Sequence, residues 1–526
     1  MSQGYLAFIL HAHLPFIRHP EHAYFLEEHW LFEAINETYL PLLRVFEGWL
    51  RDGVPARLTI SLTPPLLEML RDNLLQERYS HSLDKTLELT YKELDRTSGN
   101  PEYHRVALMY RDLFETNKHD FHHRYHQDLV GAFARLQAAG ILEIITSAAT
   151  HGFLPLMEAD PVAARAQIIQ GIRTYQKHFD CSPQGFWLPE CGFAPGQDRF
   201  LAEAGIKYVI VDTHGLLFAS PRPRYGSFAP VYCRSGVAAF ARDMETSKQV
   251  WSQHEGYPGD FDYREFYRDI GYDLDQDYIK DYIQPNGERI HTGIKYYRIT
   301  GRTPDKQVYN PDWAWEKAAL HAGNFLFNRQ AQLRHLAGIM DRKPIIVAPY
   351  DMELFGHWWF EGPQWLDFAV RKTVCDQNEL ALATPSNYLQ EYPRNQVATP
   401  TMSSWGWKGY NEVWLNGSNE WLYPYLYDAA QKMQELARDY PTADGVLRRA
   451  LNQAARELLL AQSSDWAFIM KTGTVVEYAR RRFKAHINHF TGIYDQIKEN
   501  RLEEHWIADL EAKDNIFADL DYRLYA

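Results

Sequence analysis

The most constraining feature of the chain is a set of short apolar runs that recur between longer helical stretches. They are Tyr5–Leu10, Arg57–Ser61, Ile141–Thr146, Gly185–Leu188, Lys207–Val211, Val237–Ala241 and Ile345–Ala348, with a weaker last run at Leu380–Ala383. Several are continuous rather than alternating, as expected of parallel strands buried on both faces. Strands that alternate with amphipathic helices predict an α/β fold. About seven such units predict a closed barrel rather than an open sheet.

Polar and aromatic motifs sit directly behind these runs. His11 and His13 follow the first, Thr63-Pro64-Pro65 the second, and His151 the third. Glu190 follows the fourth, Asp212 and His214 the fifth, Asp243 the sixth, and Asp351 the seventh. A barrel builds its active site from the C-terminal ends of its strands. Independent segments therefore deliver acids, histidines and prolines to one rim.

Two stretches interrupt the repeat. Residues 66–135 are charged and helical in pattern, so they read as an inserted helical domain in a barrel formed by 1–65 and 136–393. Residues 244–310 are rich in Tyr, Asp and Gly with few helical periods, and read as a long excursion over the rim. Past about Arg394 the pattern turns helical, at Glu420–Tyr440, Val446–Ser463 and Thr474–Asn500. Residues 394–526 are therefore expected to form a C-terminal helical domain that contributes to a binding groove.

Composition narrows the partner. Aromatic residues make up 14% of the 526, too many for a disordered chain and suited to stacking flat ligands. The formal net charge is −13, which repels a nucleic acid on average and leaves a neutral polysaccharide unpenalised. Cys181, Cys191, Cys233 and Cys375 form no C-x-x-C pair, so a zinc ribbon is unsupported and reduced thiols in a cytosol are expected. The N-terminal apolar run is too short for a signal segment, and no stretch reaches the roughly 18 apolar residues of a membrane span. The expectation is a cytoplasmic protein without membrane or nucleic-acid partners, a monomer or weak oligomer.

Two segments carry the sharpest chemistry. In Gly185-Phe186-Trp187-Leu188-Pro189-Glu190-Cys191-Gly192-Phe193 a strand ends at a proline and presents one acid among aromatics. Ala348-Pro349-Tyr350-Asp351-Met352-Glu353-Leu354-Phe355-Gly356-His357-Trp358-Trp359 repeats that arrangement. Two carboxylates on one rim suit glycoside chemistry, with one ionised and the other protonated. A lone acid of this kind would more often cap a helix or join a salt bridge. His11-Ala12-His13 reads either as barrel hydrogen bonding or, with His151, Asp212 and Asp243, as metal ligands. Seven of the 15 tryptophans fall between Trp358 and Trp421. Gly and Ser around Trp405, Trp407 and Trp414 favour exposed platforms there.

Together, His11-x-His13-x-Pro15-Phe16, His151-Gly152-Phe153, Trp187-Leu188-Pro189-Glu190, Arg242-Asp243 and Tyr350-Asp351-x-Glu353-Leu354-Phe355-Gly356-His357-Trp358-Trp359 resemble the conserved regions of glycoside hydrolase family 57. The resemblance runs along the whole chain, and the Trp405/Trp414 and Trp466…Tyr478-Ala479 stretches are most similar to the family's 1,4-α-glucan branching enzymes. It implies a (β/α)7 barrel with a helical insertion and a C-terminal helical domain. It also implies retaining transfer on an α-glucan in glycogen biosynthesis, with no cofactor and no metal. Glu190 would be the nucleophile and Asp351 the general acid/base. His11, His13, Trp30, His151, Arg242, Asp243, Tyr272, Trp405, Trp414 and Asp465 would contact glucan.

Two departures from the family pattern stand out. Tyr272 occupies a place where the branching enzymes are expected to carry Trp. Tyr232-Cys233-Arg234-Ser235-Gly236 lies where relatives carry a mobile loop with a catalytic-site tyrosine, and whether Tyr232 supplies it bears on the balance of transfer and hydrolysis. A 4-α-glucanotransferase or an α-amylase would share both acids. A metal-dependent deacetylase or mannosidase, and a non-catalytic glucan binder, are the readings from other classes.

Overall fold

A computed structural model describes residues 2–252 and 255–526. Nine strands form one sheet: β1 (Gly4–Ala12), β2 (Leu58–Leu62), β3 (Leu142–Ser147), β4 (Gly185–Trp187), β5 (Tyr208–Val211), β6 (Val231–Tyr232), β7 (Ala238–Ala241), β8 (Ile345–Asp351) and β9 (Leu380–Leu382). The order is β6-β7-β5-β4-β3-β2-β1-β8, with β9 beside the start of β1. All neighbours are parallel except the β6–β7 hairpin. The curled sheet is joined across its open edge where the Asp243 N–H donates to the Val347 carbonyl at 2.8 Å.

The continuous apolar runs have a direct cause. Ala7 and Ile9 of β1 pack with Ile145, Trp187, Ile210, Phe240 and Val347 inside the barrel. Leu6, Phe8 and Leu10 point the other way and pack under helices. Both faces of each strand are dry, so alternation is lost. Register then sets the rim: His11 pairs with Ser61 on one side and with Asp351 on the other. The motif residues His11 and Asp351 thus belong to strand ends rather than to following loops.

Four helices separate β2 from β3: Pro64–Leu70, Asn73–Thr97, Pro101–His119 and Leu129–Ala138. Asn100 caps the start of the third, its side chain accepting from the Glu102 and Tyr103 N–H groups, with Pro101 at the first helical position. The expected domain edges at 65/66 and 135/136 both fall inside helices. The excursion 244–310 is only partly irregular, since Met244–Trp251 is helical. It also leans on the inserted helices: Tyr278 and Tyr296 both donate to Glu93 at 2.8 Å.

The C-terminal helices are Leu422–Asp439, Gly445–Ala461, Ser464–Thr472, Val476–Lys498 and Glu504–Lys513. The sequence pattern indicates the first, second and fourth, and misses the two short ones. Residues 396–405 run back along the barrel, and the Ser403 and Phe193 backbones exchange hydrogen bonds. Among the described residues no helix is long and apolar enough to cross a membrane.

Candidate active site

Glu190 sits where β4 has ended and a short turn begins at Pro189. Its backbone is left-handed, at φ 62° and ψ 24°, and Cys191 follows at φ 50°. Such a conformation costs a non-glycine residue roughly 1–2 kcal/mol. The turn is held from outside the barrel. The Trp405 N–H of the backbone donates to the Glu190 carbonyl at 3.0 Å, and the Trp405 indole N–H donates to the carboxylate at 2.8 Å. The Ser464 hydroxyl donates to the other carboxylate oxygen at 3.3 Å. Burial pushes the Glu190 carboxyl up to about 7, and Asp465 adds to the rise, while Trp405, His13 and Ser464 pull the other way.

Asp351 is the last residue of β8, in extended conformation at φ −64° and ψ 134°. Burial raises its carboxyl well above the ordinary range, and the charges of Glu353 and Glu190 raise it further. Arg242 opposes them in part. Neighbouring negative charge thus favours the protonated form of Asp351, and the Trp405 and Ser464 donors favour the ionised form of Glu190. That is the division of labour a glycosidic pair requires.

Three histidines stack beside the pair. His13 lies over His151 with ring centres 3.8 Å apart, and His11 stacks on Trp187 at 4.5 Å. The His11 and His151 Nε2 atoms lie at hydrogen-bonding distance, 3.0 Å. Burial and the charge of His13 hold both rings well below the usual histidine value. Burial also depresses His13, but Asp465 at 3.0 Å outweighs it and the net shift is upward. Asp465 is in turn held down to about 2, with burial opposed by the His13 charge and hydrogen bond. This ion pair ties the C-terminal helix Ser464–Thr472 to the end of β1.

The expected contacts divide into three groups. Arg242 stays on the rim, braced by Asp212 at 2.6 Å, while Asp212 also accepts from His214 at 2.9 Å. Trp30 is half-buried against Tyr478, and Tyr272 is exposed beside His291. Asp243 is corrected: its carboxylate accepts from the Thr246 N–H, from Gln332 and from the buried Arg329. It caps a helix and closes an ion pair, so both of its oxygens are engaged in holding the fold. Trp414 is corrected as well, since it is buried and stacks on Phe153 at 4.2 Å. Its neighbour Trp407 is the exposed ring of that segment, at 63%.

Tyr232 lies far down the barrel from the rim. It pairs with Ala238 at the start of β7, and its hydroxyl donates to the Pro393 carbonyl. Residues 233–237 make a tight turn closed by Cys233 and Val237. Tyr232 therefore does not supply a catalytic-site phenol.

A metal reading meets the same geometry. His13, His151 and Asp465 place ligand atoms within 4.8 Å of one another. Asp212 and Asp243, the carboxylates first considered, are committed to Arg242 and Arg329. Asp465, 3.0 Å from the His13 Nε2, raises that imidazole's proton affinity, and a proton on Nε2 competes with a metal for its lone pair.

Three further residues, none given a role from sequence, take part in the site. Glu353 accepts from the His13 N–H at 3.3 Å and from the Tyr39 hydroxyl at 2.6 Å, and burial lifts its carboxyl to about 7. Ser464 bridges His151 and Glu190. Glu353 could have been noticed two residues past Asp351, Ser464 lies in Ser464-Asp465-Trp466, a weaker sequence hint of a polar contact, and Tyr39 carries no local signal.

A barrel rim with this carboxylate pair defines an enzyme that cleaves or transfers glycosides. Residues 7–331 match the family described as glycosyl hydrolase family 57, and the chain belongs to that family. Residues 425–525 match the family described as 1,4-alpha-glucan branching enzyme, C-terminal. The chain is 36% identical over 551 residues to a 1,4-alpha-glucan branching enzyme of Thermococcus kodakarensis, covering 98% of this chain and 77% of that protein. It is 28% identical to a probable 1,4-alpha-glucan branching enzyme of Mycobacterium tuberculosis, covering 99% and 98%. Among solved structures, the alpha-amylase AmyC from Thermotoga maritima aligns at TM-score 0.94 and 45% identity, over 100% of this chain and 99% of that one. The branching enzyme from Pyrococcus horikoshii aligns at 0.89 and 33%, over 100% and 97%.

Proposed function

We propose that the protein is a 1,4-α-glucan branching enzyme. The observation that carries this reading is the grip of Trp405 and Ser464 on Glu190, with Ser464 inside the segment 425–525 that matches the family described as 1,4-alpha-glucan branching enzyme, C-terminal. In the proposed reaction Glu190 attacks the anomeric carbon of an α-1,4 bond. The Asp351 proton passes to the departing 4-oxygen, and the released chain leaves with a new 4-OH. The covalent ester on Glu190 is then attacked by a 6-OH of another glucan, which gives its proton to the Asp351 carboxylate. An α-1,6 branch forms and Glu190 is freed. His11, His13, His151, Arg242, Trp405 and Asp465 line the donor ring, with Trp30 and Tyr272 further out. Transfer in place of hydrolysis requires that water be kept from the ester. The Trp405 segment and the helix Ser464–Thr472 are suited to do so.

In this reading the barrel of 1–65 and 136–393, the insert 66–135 and the helical region 394–526 act together on one groove. The setting is glycogen biosynthesis in the cytoplasm, by a monomer or weak oligomer, with no metal or other cofactor.

A hydrolytic reading has its own support. The alignment to AmyC is high, and Tyr232 is turned away from the rim. An α-amylase would use the same two acids. Incubation with amylose separates the readings: new α-1,6 signals in proton NMR are expected, and rising reducing ends without them would overturn branching.

A further inference from the structure

A cavity of about 620 Å³ lies apart from Glu190 and Asp351. It opens between the helix His29–Ala34 and one face of Asn73–Thr97, and the segment 281–293 closes its third side. Tyr24, Phe25, Phe32 and Tyr282 give it aromatic walls. The Tyr24 hydroxyl is buried there without a hydrogen-bond partner among the described residues, while the His291 Nδ1 faces Asp269 at 3.8 Å. Buried polar atoms are normally paired, so the Tyr24 hydroxyl calls for a ligand that supplies its partner.

Charge selects the ligand class. Arg78 is engaged by both Glu28 oxygens at 2.7 Å, and Lys85 by Glu88 at 3.1 Å. The wall's Lys and Arg are thus already paired, and an anion gains little. A neutral sugar chain gains from both surfaces: its C–H faces meet the rings, and a hydroxyl meets the free Tyr24 phenol.

Ring contacts lead from the cavity wall toward the reacting end. Trp358, 54% exposed and seven residues past Asp351, stacks on Phe266 at 4.7 Å. Phe266 reaches His291 at 6.0 Å, and His291 meets Tyr272 at 5.1 Å. His291 is itself part of the cavity wall. An aromatic line therefore runs from the Asp351 segment to the cavity.

We infer that this cavity is a remote α-glucan site that holds the far part of a long chain whose reacting part lies at Glu190 and Asp351. It rests on the glucan-transfer reading above and adds a preference for long chains to it. Affinity electrophoresis in amylose-containing gels reads binding alone when catalysis is disabled by Glu190→Gln. In that background Tyr282→Ala is expected to weaken retention about tenfold, the loss of one stacked ring. Tyr24→Phe keeps the ring and removes the hydroxyl, and is expected to weaken it roughly threefold. It carries the test if Tyr282→Ala does not fold by circular dichroism. Crystals of Glu190→Gln protein grown with maltoheptaose should show sugar against Tyr24 and His291. Full retention in folded variants, with the cavity unfilled, overturns the remote site and leaves branching standing. Failure of the Glu190→Gln parent itself to bind amylose overturns the glucan reading beneath it.

Discussion

Glu190 and Asp351 share one sequence context, a strand that ends at proline and an acid among aromatics, yet the fold treats them oppositely. Glu190 stands on a left-handed turn where Trp405 and Ser464 donate to its carboxylate. Asp351 stands at the end of an extended strand, where Glu353 and Glu190 press negative charge on it. Donors favour the ionised form and neighbouring negative charge favours the protonated one. Matching local sequence thus yields two roles because the partners come from different parts of the chain.

The largest effect should come from removing either acid, and it also separates them. Glu190→Gln and Asp351→Asn should each lower branching on amylose by at least about a thousandfold. An activated glycosyl fluoride needs no proton on its leaving group. With that donor Asp351→Asn should regain ester formation, seen as a mass increase on Glu190, while Glu190→Gln should not. Equal rescue of both would break the comparison.

A smaller effect tests the donors. Glu190 must be ionised to attack, and its carboxyl sits near 7, so the rate should fall as pH drops below that value. Trp405→Phe keeps a ring and removes the N–H, so Glu190 should rise further. The acid limb of kcat/KM should move to higher pH, with a loss of about tenfold at pH 7. An acid limb that stays in place would remove Trp405 from this role.

Glu353 tests the opposite side. Its charge raises Asp351, and its own carboxyl is near 7, so its influence grows above neutrality. Glu353→Gln keeps the shape and removes the charge. Asp351 should then lose its proton at lower pH, and the alkaline limb should shift downward with a few-fold loss at its upper end. The smallest effect should come from Tyr232→Phe, which touches only a bond to the Pro393 carbonyl. The ratio of transfer to hydrolysis should not change, and a change would return that phenol to the catalytic question.

Much of this was legible in the chain. The runs at 5–10, 57–61, 141–146, 185–188, 207–211, 237–241 and 345–348 all became strands, because residues buried on both faces leave a continuous apolar signature. β6 left none, being two residues long and fixed by its turn. Asp243 and Trp414 looked like contacts because an acid after a strand and a Trp beside glycines read alike in either role. Arg329, 86 positions from Asp243, and Phe153, far earlier than Trp414, decided otherwise.

By itself the sequence determined the barrel, its two helical additions and the pair of acids on one rim, since periodicity and strand-end placement are local. Tertiary structure alone decided which donors and charges surround each acid. It also decided that His13 is paired with Asp465 across 452 positions. The physical reason is that a carboxyl's proton affinity is set by the burial, charges and donors within a few ångströms, and here those neighbours are distant in the chain.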